Sequence, residues 1–438
     1  MSEKQKINIF WFRRDLRIAD NTALHKASVS GLPVLPVFIF DTHILNKLEK
    51  PRDLRVQFIH QTLVCLDEVF RKLGSGIHFS HDSPHNTFKS LIELYDIETV
   101  FTNHDYEPYA LERDNSIADL LSQQGINFQR FKDQVIFEKL EVTKDDGTPY
   151  TVFTPYSRKW KIKYKEHPPL PSTLDLDPSM LFQWEGAPIP SLLSMGFMEE
   201  KWAFPSIVTP MEILQNYSQD RDFPAINGTS RLGIHLRFGT ISIRELAQIA
   251  SNTNETYLNE LIWRDFYHMI LSNFPHVGKG ISFKKEYDAI EWRNHEEDFD
   301  RWCQGMTGYP IVDAGMRELK STGFMHNRVR MITASFLTKH LLIDWRWGEA
   351  WFASHLLDFD LAANNGGWQW AAGSGCDAAP YFRVFNPSLQ AQKFDKNGQY
   401  IRKWVPEIDS LSYVQPMVNH EFARKRCLDT YARFLKRD

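Results

Sequence analysis

The sequence predicts an α/β N-terminal domain followed by an all-helical C-terminal domain. Short apolar runs alternate with helical stretches over about residues 6–132, and strand signals fade from Pro210 onward. A proline-rich stretch lies between these regions. The length of 438 residues agrees with two domains, because it exceeds what one hydrophobic core usually organises. We therefore predict an α/β domain over 1–132, a connector over 133–205 and a helical domain over 206–438.

Five short apolar runs predict the strands of the N-terminal domain. Helical stretches such as residues 54–73 separate these runs, which cover residues 7–12, 34–40, 77–80, 99–102 and 127–131. This alternation predicts parallel strands joined by crossover helices, the pattern of a doubly wound, Rossmann-like sheet. Phe12-Arg13-Arg14-Asp15-Leu16-Arg17 stands where a Gly-x-Gly-x-x-Gly motif would follow the first strand. A dinucleotide phosphate site is therefore not predicted there.

For the rest of the chain, the sequence predicts an irregular connector followed by helices. The connector carries six prolines between residues 168 and 190, which predict an extended path without long elements. Beyond it, apolar residues recur at helical spacing, for example over 257–271, 314–319 and 420–435. We therefore predict that the C-terminal domain contains no sheet.

Composition indicates a large globular protein with an unusual number of aromatic residues. The 13 tryptophans suggest indoles that stack on bases or on a cofactor. The four cysteines are scattered without a Cys-x-x-Cys pair, so no metal site or disulfide framework is predicted. We see no signal peptide or membrane span and expect a cytoplasmic protein. The net charge of −4 means that any DNA binding must come from a local basic surface.

The most informative segment runs from residue 358 to residue 387. It begins Asp-Phe-Asp-Leu-Ala-Ala-Asn-Asn-Gly-Gly-Trp-Gln-Trp, and its adjacent glycines cost a helix roughly 2 kcal/mol relative to alanine. If the segment is helical, Asn364 and Trp368 share one face. An amide beside an indole suits a flat redox cofactor. A packed core with a turn is the alternative for the tryptophans and glycines alone.

Three further clusters lie upstream of this segment. Glu260, Trp263 and Tyr267 share one face of a predicted helix that also carries Arg264, which could equally be a core aromatic stripe with a surface salt bridge. A second helix places Asn327 and Met331 on one face with Arg330 nearby, and on its own this could be any polar helix. The third cluster, Thr229-Ser230-Arg231-Leu232-Gly233, suits either a phosphate or a simple helix cap.

Four long motifs together carry a family resemblance that spans nearly the whole chain. They are Trp-Arg-Asp-Phe-Tyr, Thr-Gly-Tyr-Pro-Ile-Val-Asp-Ala-Gly-Met-Arg, His-Asn-Arg-Val-Arg-Met and Ala-Ala-Asn-Asn-Gly-Gly-Trp-Gln-Trp. The sequence resembles the cryptochrome/photolyase family, and most of all the class I cyclobutane pyrimidine dimer photolyases. The resemblance implies an antenna domain, a helical domain that holds a U-shaped FAD, and light-driven electron transfer to a flipped-out dimer in UV-damaged DNA.

The resemblance also implies which residues contact FAD. The residues that match the family's phosphate-binding region are Tyr217, Thr229, Ser230, Arg231, Leu232 and Gly233. Many relatives carry Ser in place of Gly233, so one hydroxyl contact would be missing. Asp358 and Asp360 match acidic residues near the ribityl chain and the isoalloxazine, and Asn364 matches the residue that faces flavin N5. A neutral amide there suits a reduced anionic flavin better than a carboxylate would.

On the substrate side, the resemblance assigns contacts to the dimer and to DNA. Glu260 matches the carboxyl group that hydrogen-bonds the dimer, and Trp263 and Trp370 match the indoles that hold it. Asn327 and Met331 match dimer photolyases, since related (6-4) enzymes place histidines in this region. The arginines that could contact the DNA backbone are Arg221, Arg264, Arg330 and Arg383. Arg330 could instead pair with Asp358 beside the flavin. Tyr267 belongs to the same predicted surface as Trp263.

The resemblance further implies an electron path and leaves the antenna chromophore open. Trp368, Trp345 and Trp292 match the family's chain from flavin to surface. Trp302 is a competing outer member, but the spacing in relatives favours Trp292. Asp105 and Glu107 are possible contacts for a second chromophore. The folate-type Asn-Glu pair is missing, because Tyr109 and Ala110 stand there, so a deazaflavin fits better than a folate. The antenna site could also be empty.

Two other functions are alternatives to DNA repair for a flavin-binding member of this family. A blue-light photoreceptor would use the same FAD and tryptophans, but it needs an output element, and no long disordered tail follows the family-like helices. A dark flavin electron carrier does not explain Glu260, Trp263 and Trp370 together. We therefore expect a deoxyribodipyrimidine photo-lyase, a carbon-carbon lyase that acts as a monomer.

Overall fold

The computed structural model describes residues 4–48 and 51–435, which form two compact units that alternate along the chain. The first unit extends to Glu138 and also contains His167–Val208 and Leu232–Ile249. The second contains Lys139–Glu166, Thr209–Arg231 and the chain from Ala250 onward. The predicted domain ends at residues 1 and 438 lie outside the described residues.

A parallel five-stranded sheet organises the first unit, in the order β3-β2-β1-β4-β5. The strands are β1 (Lys6–Phe12), β2 (Val34–Ile39), β3 (His78–Ser80), β4 (Asp96–Asn103) and β5 (Asn127–Phe131). In the centre, Phe10 pairs with Pro36 of β2 and with Phe101 of β4. Strands β1 and β2 are continuous apolar runs because helices cover both faces of a parallel sheet. The predicted doubly wound sheet is confirmed.

Eighteen helices are found within the described residues. The first nine are α1 (Thr22–Ser28), α2 (Thr42–Leu45), α3 (Leu54–Lys72), α4 (Pro84–Leu94), α5 (Pro108–Ser122), α6 (Phe153–Glu166), α7 (Met211–Asp220), α8 (Gly233–Phe238) and α9 (Ile243–Thr253). The others are α10 (Glu255–Asn273), α11 (Glu296–Cys303), α12 (Pro310–Thr322), α13 (Asn327–Ser335), α14 (Trp345–His355), α15 (Leu361–Ala372), α16 (Pro387–Phe394), α17 (Gln399–Trp404) and α18 (His420–Leu435). A π-helical turn, Phe336–His340, follows α13.

Within its described residues the second unit is helical, as predicted, and its core is built by α12 to α15. Ile311, Val329, Leu337, Phe352 and Trp368 all belong to one buried apolar cluster. Helices α14 and α15 pack directly on each other. This contact places α15, the helical part of the informative 358–387 segment, against the core of the unit.

One sequence expectation was wrong inside the predicted connector. Residues 133–205 were read as irregular, but α6 forms there and packs on α10 in the second unit. The aromatic side chains Phe153, Tyr156, Trp160 and Tyr164 follow each other at helical spacing, and Tyr156 and Trp160 are fully buried. The prolines that follow α6 masked this signal. The domain boundaries at 132 and 205 stay a prediction.

Candidate active site

Helix α15 stays regular through its two glycines because both of its ends are capped. Asp360 is the N-cap, and its carboxylate accepts hydrogen bonds from the amides of Ala362 at 3.1 Å and Ala363 at 3.4 Å. Gly373 closes the helix in a left-handed conformation, with φ of 93°. Since the segment is helical, Asn364 and Trp368 do lie one turn apart on one side of the helix.

The glycines of this region serve different contacts. A methyl group at Gly366 would clash with the ring of Tyr267, and one at Gly348 of α14 would clash with the indole of Trp368. A methyl group at Gly367 would meet no protein atom within 4 Å. At Gly366 the backbone therefore closely approaches the ring of Tyr267, and of these three glycines only Gly367 faces open space.

Asn364 is oriented by its neighbour Glu349 on α14. Its amide nitrogen donates to the backbone oxygen of Glu349 at 3.1 Å and to the Glu349 carboxylate at 2.8 Å. Burial raises the pKa of Glu349, and the hydrogen bond from Asn364 opposes that rise. In the described part of the chain, the side-chain oxygen of Asn364 accepts no hydrogen bond. It lies on a helix face where Ala363 and Gly367 are exposed.

Both acidic residues before α15, Asp358 and Asp360, have hydrogen-bond partners in the second unit. Asp358 receives two hydrogen bonds from the guanidinium of Arg330, at 2.9 and 3.1 Å, so the alternative pairing of Arg330 is the one formed. Arg330 also donates to the backbone oxygen of Met325 at 2.7 Å. Besides capping α15, Asp360 lies 3.5 Å from the ring of His268. The Arg330–Asp358 pair and the open face of α15 together offer charged groups beside a flat surface.

The predicted phosphate segment contains hydroxyl groups and a strained arginine. Ser230 accepts a hydrogen bond from the Tyr257 hydroxyl at 3.0 Å, and Tyr257 packs edge-on against Tyr217 at 5.0 Å. Thr229 is half-buried beside Ser230. Arg231 has a positive φ of 54° and lies over the ring of Phe324. In the first unit, Leu232 and Gly233 begin α8.

A pocket of about 420 Å³ in the second unit has four aromatic side chains on its wall. Three of them, Trp263, Tyr267 and Trp370, are residues that the family resemblance assigns to the lesion side, an assignment that stays a prediction. Trp263 stacks on Phe153 of α6, with ring centroids 3.7 Å apart and planes within 3°. Sequence reasoning missed Phe153, although the aromatic spacing of α6 would have revealed it. The pocket therefore offers one prearranged indole face and a second indole for a flat ligand.

Glu260 does not line this pocket but is held beside it by an ion pair. The guanidinium of Arg221 donates to the Glu260 carboxylate and also lies over the ring of Tyr217. Burial raises the pKa of Glu260, and Arg221 lowers it. Arg221, predicted to contact the DNA backbone, is thus engaged with the predicted catalytic carboxyl group.

Asn327 and Met331 also lie outside the wall of the aromatic pocket. Asn327 is the exposed first residue of α13, and Met331 is half-buried one turn later. Arg328 connects this helix to the segment after α7, because it donates to Asp222 at 2.6 Å and lies 3.8 Å from the sulfur of Met331. Asp222 is next to Arg221, so a polar network links Glu260 to Met331.

The predicted electron path is only partly visible as ring contacts. Trp345 is buried and precedes Gly348, the glycine against which Trp368 packs, by one helical turn. Trp292 is partly buried and meets the ring of Tyr431 edge-on at 6.0 Å. The ring of Trp368 contacts Trp302 edge-on at 6.1 Å. Trp302, the competitor rejected on spacing, is therefore a direct neighbour of Trp368.

The remaining predicted DNA contacts differ in accessibility. Arg383 is exposed in the loop before α16. Arg264 is half-buried on α10, and its backbone oxygen lies 2.9 Å from a ring nitrogen of His268. Of the four predicted arginines, Arg221 and Arg330 form ion pairs with carboxylates of the same unit.

The first unit contains a separate cavity of about 890 Å³ that is partly open to solvent. The apolar side chains on its wall include Phe38, Ile39, Phe40, Val56 and Ile59. Tyr109 and Ala110, which replace the folate-type pair, line it as well. Tyr109 donates a hydrogen bond to Asp41 at 2.5 Å.

Asp105 and Glu107 lie on the wall of this cavity, but each is bound by arginine. Arg14 contacts Asp105 at 3.2 Å and Glu107 at 2.9 Å, and Arg237 also pairs with Glu107. Burial alone would raise the pKa of Asp105, but Arg14 and the arginines around it lower that pKa far below its usual value. The acidic groups expected to contact a chromophore thus already have cationic partners.

The described residues contain neither a membrane-spanning helix nor a cluster of metal-binding side chains. No helix there is long and apolar enough to cross a membrane. No group of three or more His, Cys, Asp and Glu side chains in the same ranges could hold a metal ion.

Comparison with known proteins decides the family. A family model described as DNA photolyase matches residues 8–173, and one described as the FAD binding domain of DNA photolyase matches residues 257–412. A deoxyribodipyrimidine photo-lyase of Agrobacterium fabrum is 36% identical over 481 residues, covering 99% of each chain. The chain belongs to the cryptochrome/photolyase family. Asn364, the acidic residues Asp358 and Asp360 before α15, and the tryptophans at 263, 292, 345, 368 and 370 all fall in the range matched by the FAD binding domain model.

Solved photolyase structures support the same membership. A class III photolyase from Agrobacterium tumefaciens superimposes with a TM-score of 0.88 at 34% identity, covering 100% of this chain and 99% of its own. An archaeal photolyase from Sulfolobus tokodaii, solved with two FAD molecules, gives a TM-score of 0.81 at 33% identity, covering 98% of this chain and 100% of its own. The class I subtype expected from the sequence stays a prediction.

Proposed function

We propose that this protein is a deoxyribodipyrimidine photo-lyase that repairs cyclobutane pyrimidine dimers in UV-damaged DNA under light. The observation that carries this proposal is the aromatic pocket in which Trp263 and Trp370 form two walls. Glu260 lies beside it, and the open face of α15 belongs to the same unit. A flat lesion could be held by the indoles while a carboxyl group reaches its polar edge. Relatives named deoxyribodipyrimidine photo-lyase match nearly the full chain.

The residues of the second unit fit an FAD, which we propose lies along α15. Gly367 and Ala363 leave the helix face open, and Asn364 presents an unused oxygen there. Arg330 and Asp358 would hold the ribityl side, and Tyr217, Thr229, Ser230 and Arg231 would hold the phosphates. When bound and reduced, FAD supplies the photoexcited electron that opens the dimer. The roles of these individual residues are proposals that rest on their match to the family.

On the lesion side, Glu260 would hydrogen-bond the dimer while the indoles stack on it. The raised pKa of Glu260 favours the protonated carboxyl, which can donate to a pyrimidine carbonyl oxygen. Arg221 would exchange Glu260 for a DNA phosphate, and exposed Arg383 would contact the backbone. Asn327, Met331, Arg264 and Tyr267 complete the proposed substrate surface.

Trp368, Trp345 and Trp292 would reduce oxidised FAD from the protein surface. The first unit would carry a second chromophore in its 890 Å³ cavity. Since its carboxylates are already paired with arginines, the cavity suits a planar ring system bound mainly by apolar contact, a deazaflavin or another flavin rather than a folate. We further propose a cytoplasmic monomer of class I, with residues 1–132 as the antenna domain.

A blue-light photoreceptor remains the second candidate within the family. Asn364, a neutral amide where the related plant cryptochromes carry Asp, favours repair. The aromatic pocket also favours repair, since a photoreceptor does not require a lesion site.

The deciding experiment is a repair assay with reduced holoenzyme. Oligonucleotides that carry one cyclobutane dimer or one (6-4) lesion are incubated in blue or near-ultraviolet light and in the dark. We expect light-dependent restoration of the cyclobutane dimer alone. Absence of repair by protein with a full complement of flavin would contradict the proposal, and repair of the (6-4) lesion would contradict the lesion assignment.

A further inference from the structure

The amide of Asn364 can face a ligand with either its oxygen or its nitrogen. The two ends have nearly the same shape, but one accepts a hydrogen bond and the other donates two. Flavin N5 accepts a hydrogen bond when the flavin is oxidised and donates one when N5 carries a proton. The orientation of this one amide therefore determines which redox form of the flavin is favoured.

Glu349 determines that orientation in the structure. Both contacts from the Asn364 nitrogen go to Glu349, one to its backbone oxygen at 3.1 Å and one to its carboxylate at 2.8 Å. A flipped amide would place its oxygen against these two acceptors and lose both hydrogen bonds. The amide oxygen, which accepts no hydrogen bond in the described part of the chain, is then the only free polar atom of the side chain.

The packing of α14 against α15 keeps Glu349 in place. Gly348, its neighbour, allows the Trp368 ring to lie directly against α14, which a side chain at that position would prevent. Burial raises the pKa of Glu349. A protonated carboxyl group can still accept from Asn364, but it can also donate to the oxygen of a flipped amide, so the ionised carboxylate enforces the orientation most strongly. The backbone oxygen of Glu349 accepts from Asn364 in either ionisation state.

We propose that Glu349 is a positioning residue that locks the Asn364 oxygen toward flavin N5 and so favours the flavin forms that carry a proton there. This inference rests on the proposed function, in which Asn364 faces N5. Loss of Glu349 would let the amide rotate and donate its N–H to the unprotonated N5 of oxidised flavin. The oxidised form would gain a hydrogen bond and the reduced form would lose one.

The test compares E349L with E349Q in the flavin-loaded protein. Leucine has a similar size and no acceptor, whereas glutamine keeps a carbonyl oxygen in the same place. We expect E349L to reoxidise in air on the order of tenfold faster and to shift the flavin midpoint potential downward, because the favoured redox form changes. E349Q should lie between E349L and the unmodified protein, because glutamine retains an acceptor oxygen but also has an N–H that can donate to a flipped Asn364 amide.

A matched control uses Glu318, another buried carboxyl group with a raised pKa that accepts from a single side chain, the Tyr400 hydroxyl at 2.7 Å. If E318L speeds flavin oxidation as much as E349L does, the effect is a general loss of packing and the inference is overturned. It is also overturned if E349L behaves like the unmodified protein. Failure of the unmodified protein to bind flavin would instead contradict the proposed function.

A measurement on unmodified protein covers the case in which E349L does not fold. The infrared difference spectrum between reduced and oxidised protein should show a side-chain amide carbonyl band that shifts to lower frequency when N5 is protonated, and N364S should lose that band. A spectrum without such a shift overturns the inference.

Discussion

The two cavities of this protein are built differently. The cavity of the first unit is large and apolar, and Asp105 and Glu107 on its wall are paired with arginines of the same unit. The pocket of the second unit measures about 420 Å³, roughly half the 890 Å³ of the first cavity, and four aromatic side chains line it. Near it, Asn364 and Glu260 are each held by one partner, Glu349 and Arg221 respectively.

This difference separates a binding cavity from a reactive site. In the first unit, compensated charges leave shape and apolar burial to select the ligand, so no single polar residue should be essential. In the second unit, the side chains proposed to react are oriented by specific neighbours, and indoles are proposed for the stacking and the electron path. Single substitutions in the second unit should therefore have large functional effects, whereas the first unit should respond mainly to changes in volume.

The largest effect is expected for the electron path of the second unit. W345F and W292F should reduce light-driven reduction of oxidised FAD to background, because phenylalanine is much harder to oxidise than tryptophan. Repair by already reduced enzyme should persist in both variants. The measurement is the rate of flavin bleaching under blue light with an external thiol.

Two control variants sharpen this first prediction. W347F, a half-buried indole of the same helix α14, should photoreduce normally. W302F tests the neighbour that contacts Trp368 at 6.1 Å. If W302F blocks photoreduction while W345F does not, the path runs through Trp302 and the assignment from spacing is wrong.

The next effect concerns the aromatic pocket. W263A should weaken binding of dimer-containing DNA by about 5- to 150-fold, since stacking of a base on an aromatic side chain contributes ~1–3 kcal/mol. Binding of undamaged DNA should change little, because phosphate contacts dominate it. Electrophoretic or fluorescence titration at fixed salt measures both affinities.

W184A is the matched control for the aromatic pocket. Trp184 belongs to the first unit and stacks on His78 at 5.9 Å, so its loss also removes a stacked indole. If W184A weakens lesion binding as much as W263A does, the aromatic pocket is not the lesion site.

A smaller effect on repair is expected from the cavity of the first unit. A110F should fill part of the cavity and expel a second chromophore, because Ala110 is buried on its wall. L111F, at the exposed neighbouring position of α5, should leave the chromophore in place. Absorption spectra of the extracted chromophores provide the measurement. Equal chromophore content in both variants would place the second chromophore elsewhere or show that none binds.

Local sequence signals predicted the fold well where a pattern lies within one element. The apolar run of β1 is an example, since it depends on neighbouring residues. The helix between Asp360 and Gly373 was left open by the sequence, because its adjacent glycines disfavour a helix. Helix α6 was missed although its aromatic residues have helical spacing, because the prolines after it dominated the interpretation. Its Phe153 then supplies the stacking partner of Trp263.

Apart from the Arg330–Asp358 pair, which the sequence analysis named as an alternative, the pairing of charges could not be predicted, because it depends on residues that are distant in sequence. Glu260 was matched to a carboxyl group that hydrogen-bonds the dimer, and the structure shows it bound by Arg221 from the segment after α7. Glu349 had no sequence signal, since its importance comes only from the packing of α14 on α15. Family motifs predict which side chains react, and the structure shows which neighbours hold them.

The smallest effect is expected on the pH dependence of stability. It depends on the general packing of the second unit and not on either cavity. Burial lowers the pKa of His340 to about 3 and that of His326 to about 4, so both are neutral in the fold at pH 5. In the unfolded chain they take up protons below pH ~6.5. Stability is therefore fully present above that pH and is lost as pH falls, with a slope of about 1.4 kcal/mol per pH unit for each histidine.

H340F should lower by one the number of protons that the chain takes up when it unfolds at acidic pH. Urea unfolding between pH 7 and pH 5 should then show a smaller loss of stability on acidification than in the unmodified protein, even if H340F is less stable at pH 7 because the contact to His420 at 2.9 Å is lost. H295Q, at an exposed position, should keep the original slope. An unchanged slope in H340F would mean that His340 is already protonated in the fold, which its burial among Phe336, Tyr309 and His420 argues against.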